Sequence, residues 1–193
     1  MEYTYDEKKY GALDRKVAKF GSPIRSVEQL PAPLSTGTPD EEWDKRMQEN
    51  WWYNEATIQK EFEKEPWMNN TGLLLLHKKL LSFGGVRTVL PRVEVDLGSI
   101  MGRGQLWLGS NYMMMPGTPS QCHRNSCACW EANKHRTILC TGYALSEDGL
   151  WRQHSWLVDF RFQRVVETTV PRVAYFGFAM TKEEAEKFYE EIY

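Results

Sequence analysis

Gln121-Cys122-His123-Arg124-Asn125-Ser126-Cys127-Ala128-Cys129-Trp130 opens the stretch that decides the fold. Trp151-Arg152-Gln153-His154-Ser155-Trp156 and Val165-Val166-Glu167-Thr168-Thr169 follow it. Ahead of it, Pro116-Gly117-Thr118-Pro119-Ser120 is a loop by composition. Ser120 at its end is an N-cap residue, which puts Cys122 in the first turn of a helix reaching about Lys134. Strands are predicted over 137–145, 151–160 and 165–169, with a continuation over 174–178 after Pro171. Ser146-Glu147-Asp148-Gly149 is the hairpin turn between the first two. Thr181 and Glu184 then form a capping box for a last helix, whose stripe of Ala185, Phe188, Tyr189 and Ile192 seals the sheet.

Upstream the pattern is weaker. Short strands are expected over 86–90, 93–97 and 105–108. Gly98, Gly102 and Gly104 mark a loop, and Met113-Met114-Met115 is an adaptable apolar segment that fills core. Leu73, Leu74, Leu76, Leu80 and Leu81 predict a helix that begins at Thr71 and stops at the Gly84-Gly85 pair. His77 is a packed or edge residue on it. Thr38, Pro39 and Glu41 start a helix over 39–65, with Trp43, Met47, Trp51, Asn54 and Ile58 along one face. Pro23, Pro31 and Pro33 leave residues 1–37 as a surface arm without regular structure past Phe20. The chain therefore divides into an arm and helices over 1–85 and a core over 86–193, packed as one unit. The expected class is α+β: an antiparallel sheet with a nucleophile-bearing helix packed on it, preceded by an N-terminal helical region.

Twenty-four basic residues against 26 acidic ones give a formal charge of −2. Such a balance lacks the electrostatic footprint of a nucleic-acid or anionic-membrane binder. No window approaches the roughly 18 apolar residues of a membrane span, and the charged first ten residues have no signal-peptide core, so a cytoplasmic location is expected. The four cysteines all lie between Cys122 and Cys140, too close together to staple distant parts of the chain. They are expected as reduced thiols.

A thiol attacks carbonyl carbon as its thiolate, and the positive end of a helix favours that form, which singles out Cys122. Cys127 and Cys129 lie further into the helix, where the benefit fades. The Gln121 amide and free helix N–H groups are candidate donors to an oxyanion. His154 is the candidate base. Strand alternation sets it on one face with Trp156, which shields the imidazole, while Asp159 five positions on points the other way. Glu167, on the neighbouring strand, is therefore preferred over Asp159 as the acid that orients the imidazole.

Gly142-Tyr143, His154-Ser155-Trp156 and Glu167-Thr168-Thr169 resemble the transglutaminase-like branch of the papain-like superfamily. That branch has a Gly-Tyr strand, a His-Ala-Trp strand and an Asp-Pro-Thr segment after its cysteine helix. The likeness covers about residues 120–170. It implies Cys122 as nucleophile, His154 as base and Glu167 as orienter in hydrolysis or acyl transfer at an amide or ester. The substrate would be a small molecule or a protein, with no cofactor. Glu stands here for the usual Asp and Thr for Pro, and His123 follows the nucleophile directly. Papain itself has its oxyanion Gln six residues before the nucleophile, and Gln121 precedes Cys127 by six, so Cys127 is the alternative nucleophile.

Three rival readings use the same residues. The thiols could be buried small hydrophobes and His154 a satisfied sheet histidine, but Arg124, Asn125, Arg152 and Gln153 crowd polar groups around both. Cys122, Cys127, Cys129, His135 and Cys140 could hold zinc, but the C-x4-C and C-x-C spacings do not match zinc knuckles, and no metal is expected. Trp43, Trp51, Trp52, Tyr53 and Trp67 could instead form an aromatic surface for a homodimer or a protein partner.

Overall fold

The computed structural model describes residues 5–18, 70–91 and 93–193. In chain order they form α1 (Glu7–Ala18), α2 (Asn70–Ser82), β1 (Arg87–Val89), α3 (Leu97–Arg103), β2 (Gln105–Leu108), β3 (Tyr112–Met114), α4 (Cys122–Ala132), β4 (Thr137–Leu145), β5 (Leu150–Asp159), β6 (Arg164–Glu167), β7 (Ala174–Ala179) and α5 (Lys182–Ile192). The class is α+β. The helix expected over 39–65, and with it Trp43, Trp51, Trp52, Tyr53 and Trp67, lies outside the described residues.

The sheet runs β2-β7-β4-β5-β6-β3, with β1 also on β5. Its centre is antiparallel, as the hairpin turn at Ser146 to Gly149 requires, with β4 and β5 paired from Thr137↔Asp159 to Leu145↔Trp151. The margins depart from the all-antiparallel expectation, because β1 joins β5 and β3 joins β6 in parallel. Both strands reach their partners through connections that contain a helix or a long loop, which a parallel pair needs. Along the outer edge of β5, β1 pairs with residues 150–152 and β6 with residues 157–159. Residues 153–156 are left between them, and this gap positions the site.

Alternation splits the interior in two. One face of the central strands carries Leu139, Tyr143, Trp151 and Leu157, packed with Leu76 and Leu80 of α2, Ile100 of α3, Cys127 and Trp130 of α4 and Ala185 of α5. The other carries Cys140, Ala144, Trp156 and Val158, packed with Trp107, Tyr175 and Val17 of α1. Each large apolar side chain fully buried in these layers contributes about 1.5–3 kcal/mol. Where β4 crosses to β7, Gly142 faces Gly177, with Gly142 at φ +152°. A Cβ at Gly142 would overlap the Phe176 carbonyl oxygen, so this close approach needs glycine.

Two upstream expectations are corrected. Residues 93–97 do not form a strand, and the glycines after them do not form a loop. Leu97 and Ile100 bury one face of the short helix α3 despite Gly98 and Gly102. In the arm, α1 forms because Gly11, Asp14 and Val17 recur at helical spacing on its buried side. The capping box of α5 is present, with Thr181 Oγ1 accepting from Glu184 N and the Glu184 carboxylate from Thr181 N. Among the described residues, no helix is long and apolar enough to cross a membrane.

Candidate active site

The loop before α4 ends with Ser120 at φ +60°, and Gln121 rather than Ser120 is the N-cap, without a side-chain cap bond. The helix ends at Ala132, two residues short of the expected Lys134. Asn125 holds the loop instead. Its Nδ2 donates to Thr118 O at 2.7 Å, and its Oδ1 accepts from Thr118 N at 3.1 Å. The same loop is tied to the end of β6, where Met115 N donates to Glu167 O and Gly117 N to Thr168 O, both at 2.8 Å. One segment thus sets the helix start relative to the Glu167 backbone.

Helix α4 brings Cys122 to the gap in the β5 edge. Ser155 offers both backbone groups there, its N–H to the Cys122 sulfur and its C=O to Ser126 Oγ at 2.9 Å. His154 and the His123 N–H also lie close enough to the sulfur to favour its thiolate. On the imidazole, Nε2 donates to Glu167 Oε2 at 2.8 Å, which leaves Nδ1 for the thiol. Glu167 Oε2 also accepts from Tyr175 OH at 2.9 Å. Its Oε1 accepts from Thr168 N and Thr169 N at 2.8 Å and from Thr169 Oγ1 at 2.9 Å. The carboxylate is fully buried, and its lone pairs are occupied.

These contacts shift the three groups in linked directions. Burial alone would raise the Cys122 thiol, but the His154 hydrogen bond and charge, with the Ser155 and His123 N–H groups, hold it below the usual thiol range. Burial alone would lower His154, yet Cys122 and Glu167 together raise it. Burial would also raise Glu167, but His154, the Thr169 N–H and Tyr175 keep it low. Each shift runs toward the charged form, thiolate, imidazolium and carboxylate in a row. Trp156 lies parallel to the imidazole, centroids 6.4 Å apart and planes 12° apart, and packs on Tyr175 and Trp107.

Cys122, His154, Glu167, Trp156 and the loop-holding Asn125 are thus brought together, with Gln121 exposed at the helix start. Asp159 lies elsewhere, accepting from Arg161 N and Phe162 N and facing Arg136 at 3.4 Å. Cys127 is fully buried, and desolvation pushes its thiol up to about 12. Cys129 is raised by burial too and meets Met115 at 3.7 Å, while Cys140 is in the opposite core layer. Among the described residues no three His, Cys, Asp or Glu side chains converge as a metal site, although all five candidate zinc ligands are described.

Sequence reasoning missed Tyr175, which reaches Glu167 from β7. No local signal marks it, because only the order of strands brings it there. Thr169 was more legible, since an acid followed by two threonines is a side-chain turn in which the carboxylate accepts from the next two residues. Compared with family models, curated proteins and solved structures, the chain matches none.

Proposed function

We propose that this protein is a cysteine-dependent acyl-transfer enzyme that hydrolyses or transfers at an amide or ester through Cys122, His154 and Glu167. One observation carries the proposal: the His154 ring bonds Glu167 on one side and faces Cys122 on the other, where a helix start meets an open strand edge. The order of helix, His strand and acid strand supports a kinship with the transglutaminase-like branch of the papain-like superfamily. The substitutions of Glu for Asp and Thr for Pro leave the substrate open.

The Cys122 thiolate attacks the carbonyl carbon and forms a C–S bond, while the carbonyl π pair moves to oxygen. The Cys122 N–H at the first helical position and the Gln121 amide are the donors we assign to that oxyanion. Collapse expels the amine or alkoxide, which takes the proton from His154 and leaves a thioester. His154, neutral again, takes a proton from water or an acceptor as it attacks the thioester, and the C–S bond breaks to return the thiolate. Glu167 holds the ring and stabilises its cationic form without taking the proton.

In the expected outcome, Cys122→Ala abolishes both p-nitrophenyl acetate hydrolysis and iodoacetamide labelling at this position near pH 6. Labelling that falls mainly on Cys127, or hydrolysis that survives the substitution, overturns the proposal.

A further inference from the structure

One residue past the nucleophile, the chain opens a second polar feature that the acyl-transfer chemistry does not use. A cavity of about 120 Å³ lies on the helical side of the sheet, lined by Glu94, Asp96, His123, Gln153, Phe188 and Ile192 among others. Phe188 and Ile192 of α5 give it apolar wall, and Glu94 and Asp96 contribute two carboxyl groups. Among its lining residues there is no lysine or arginine.

Acceptors outnumber donors among the polar side chains of the cavity. His123 Nδ1 meets Ser155 Oγ at 2.7 Å, Ser155 Oγ donates to Thr141 Oγ1 at 3.0 Å, and Thr141 Oγ1 donates to the His154 carbonyl at 3.4 Å. A carbonyl only accepts, so each hydroxyl donates onward and His123 Nδ1 must carry the hydrogen. Burial, then the charge of His154, lowers His123, which keeps the ring neutral and leaves Nε2 with a free lone pair. Glu94 is buried and held by donors from Tyr143 OH, Gln153 Nε2 at 2.9 Å and Asp96 N at 3.2 Å. Gln153 Nε2 gives one N–H to Glu94, and its carbonyl oxygen is an acceptor. Asp96 has no side-chain cap bond, and burial together with Glu94 pushes its carboxyl up to about 6. Lys187 acts on Asp96 from α5, but lies on the exposed side of that helix, 3.7 Å from Glu191.

We infer that this cavity is a substrate subsite for a protonated amine carried on a short apolar chain, so that the enzyme selects acyl compounds bearing an ammonium group near the reacting carbonyl. An ammonium has three donors and no acceptor, which suits the Asp96 and Glu94 carboxyl groups and a neutral imidazole. Its methylenes would lie on Phe188 and Ile192. The volume corresponds to about four waters, enough for such a chain. The inference rests on Cys122 as the acylated residue, and two probes separate the two ideas.

Butylammonium and butanol are first compared for protection of Cys122 against iodoacetamide, a readout that needs no turnover. Butylammonium is expected to slow labelling about tenfold more than butanol in the native chain, and Asp96→Asn to erase most of that difference. The p-nitrophenyl esters of β-alanine and butyrate, equal in size, are then compared as substrates. After correction for their alkaline hydrolysis, the β-alanyl ester should have a kcat/KM about tenfold higher, and Asp96→Asn should collapse the ratio. Equal protection by the two probes overturns the subsite. Selective protection with no Cys122-dependent ester cleavage upholds the subsite and sinks the acyl-transfer proposal.

Discussion

The two faces of β5 make a useful contrast. On the helical face, Ser155 and Gln153 point toward α4 and the acidic cavity, and polar groups there form chains that end on carbonyls or carboxylates. On the opposite face, His154 and Trp156 lie in a layer of aromatic rings, where Glu167 is the one carboxylate bonded to the imidazole. The nucleophile comes from the first face and its base from the second. They meet because β1 and β6 leave the strand edge open between residues 152 and 157. Reactivity here follows from a missing stretch of strand pairing as much as from the residues themselves.

His154→Gln is the strongest way to break that contrast, since it removes the one side chain that links the two faces. Ester hydrolysis is expected to fall about 10²–10⁴-fold, the usual contribution of a positioned general base. The pH profile of Cys122 alkylation should also move toward that of an ordinary thiol, because the hydrogen bond and charge that lower it come mainly from His154. An unchanged alkylation profile would locate the lowering in the helix start and the Ser155 N–H instead.

Glu167→Gln tests the aromatic face alone. The amide would turn an NH2 group toward buried donors, so a stability loss of about 3 kcal/mol is expected in urea unfolding. The sign with pH follows from the directions of the two shifts. Glu167 is lowered from 4.5 on folding, so its contribution is present above that value and fades as pH falls through the folded one. His154 is raised from 6.5, so its contribution is complete below 6.5 and fades as pH rises through the folded value. The gap between native chain and variant should be widest from about pH 5 to 6.5 and narrow on both sides. A gap independent of pH would mean that the loss is one of packing.

The part of the molecule legible in the sequence is the part governed by local rules. The Leu-rich helix, the capping box of α5 and the strands from Thr137 onward rest on period and caps, and they appear within a few residues of expectation. Alternation also separates Asp159 from His154 without knowledge of the fold. What could not be read depends on distant pairing. The parallel margins, the gap in the β5 edge and the reach of Tyr175 across two strands all arise from strand order, which no local pattern encodes. Ser120 as N-cap failed for a physical reason: Asn125 supplies the bonds to the loop, so Ser120 is free to take a left-handed turn.

That substitution of roles yields the smallest expected effect and the finest test of how the faces are joined. Asn125→Ala removes two side-chain bonds to Thr118 without touching the thiol or the imidazole. Its stability loss should be about 1 kcal/mol, as for the loss of a helix cap. If the loop between β3 and α4 sets the position of Cys122 against His154, the alkylation rate at neutral pH should drop severalfold, and Asn125→Asp, which keeps the acceptor for Thr118 N, should recover part of it. Equal loss of stability with no change in alkylation would show that the helix is seated by Ser126 and Ser155 alone, and that the loop serves only to connect the strands to it.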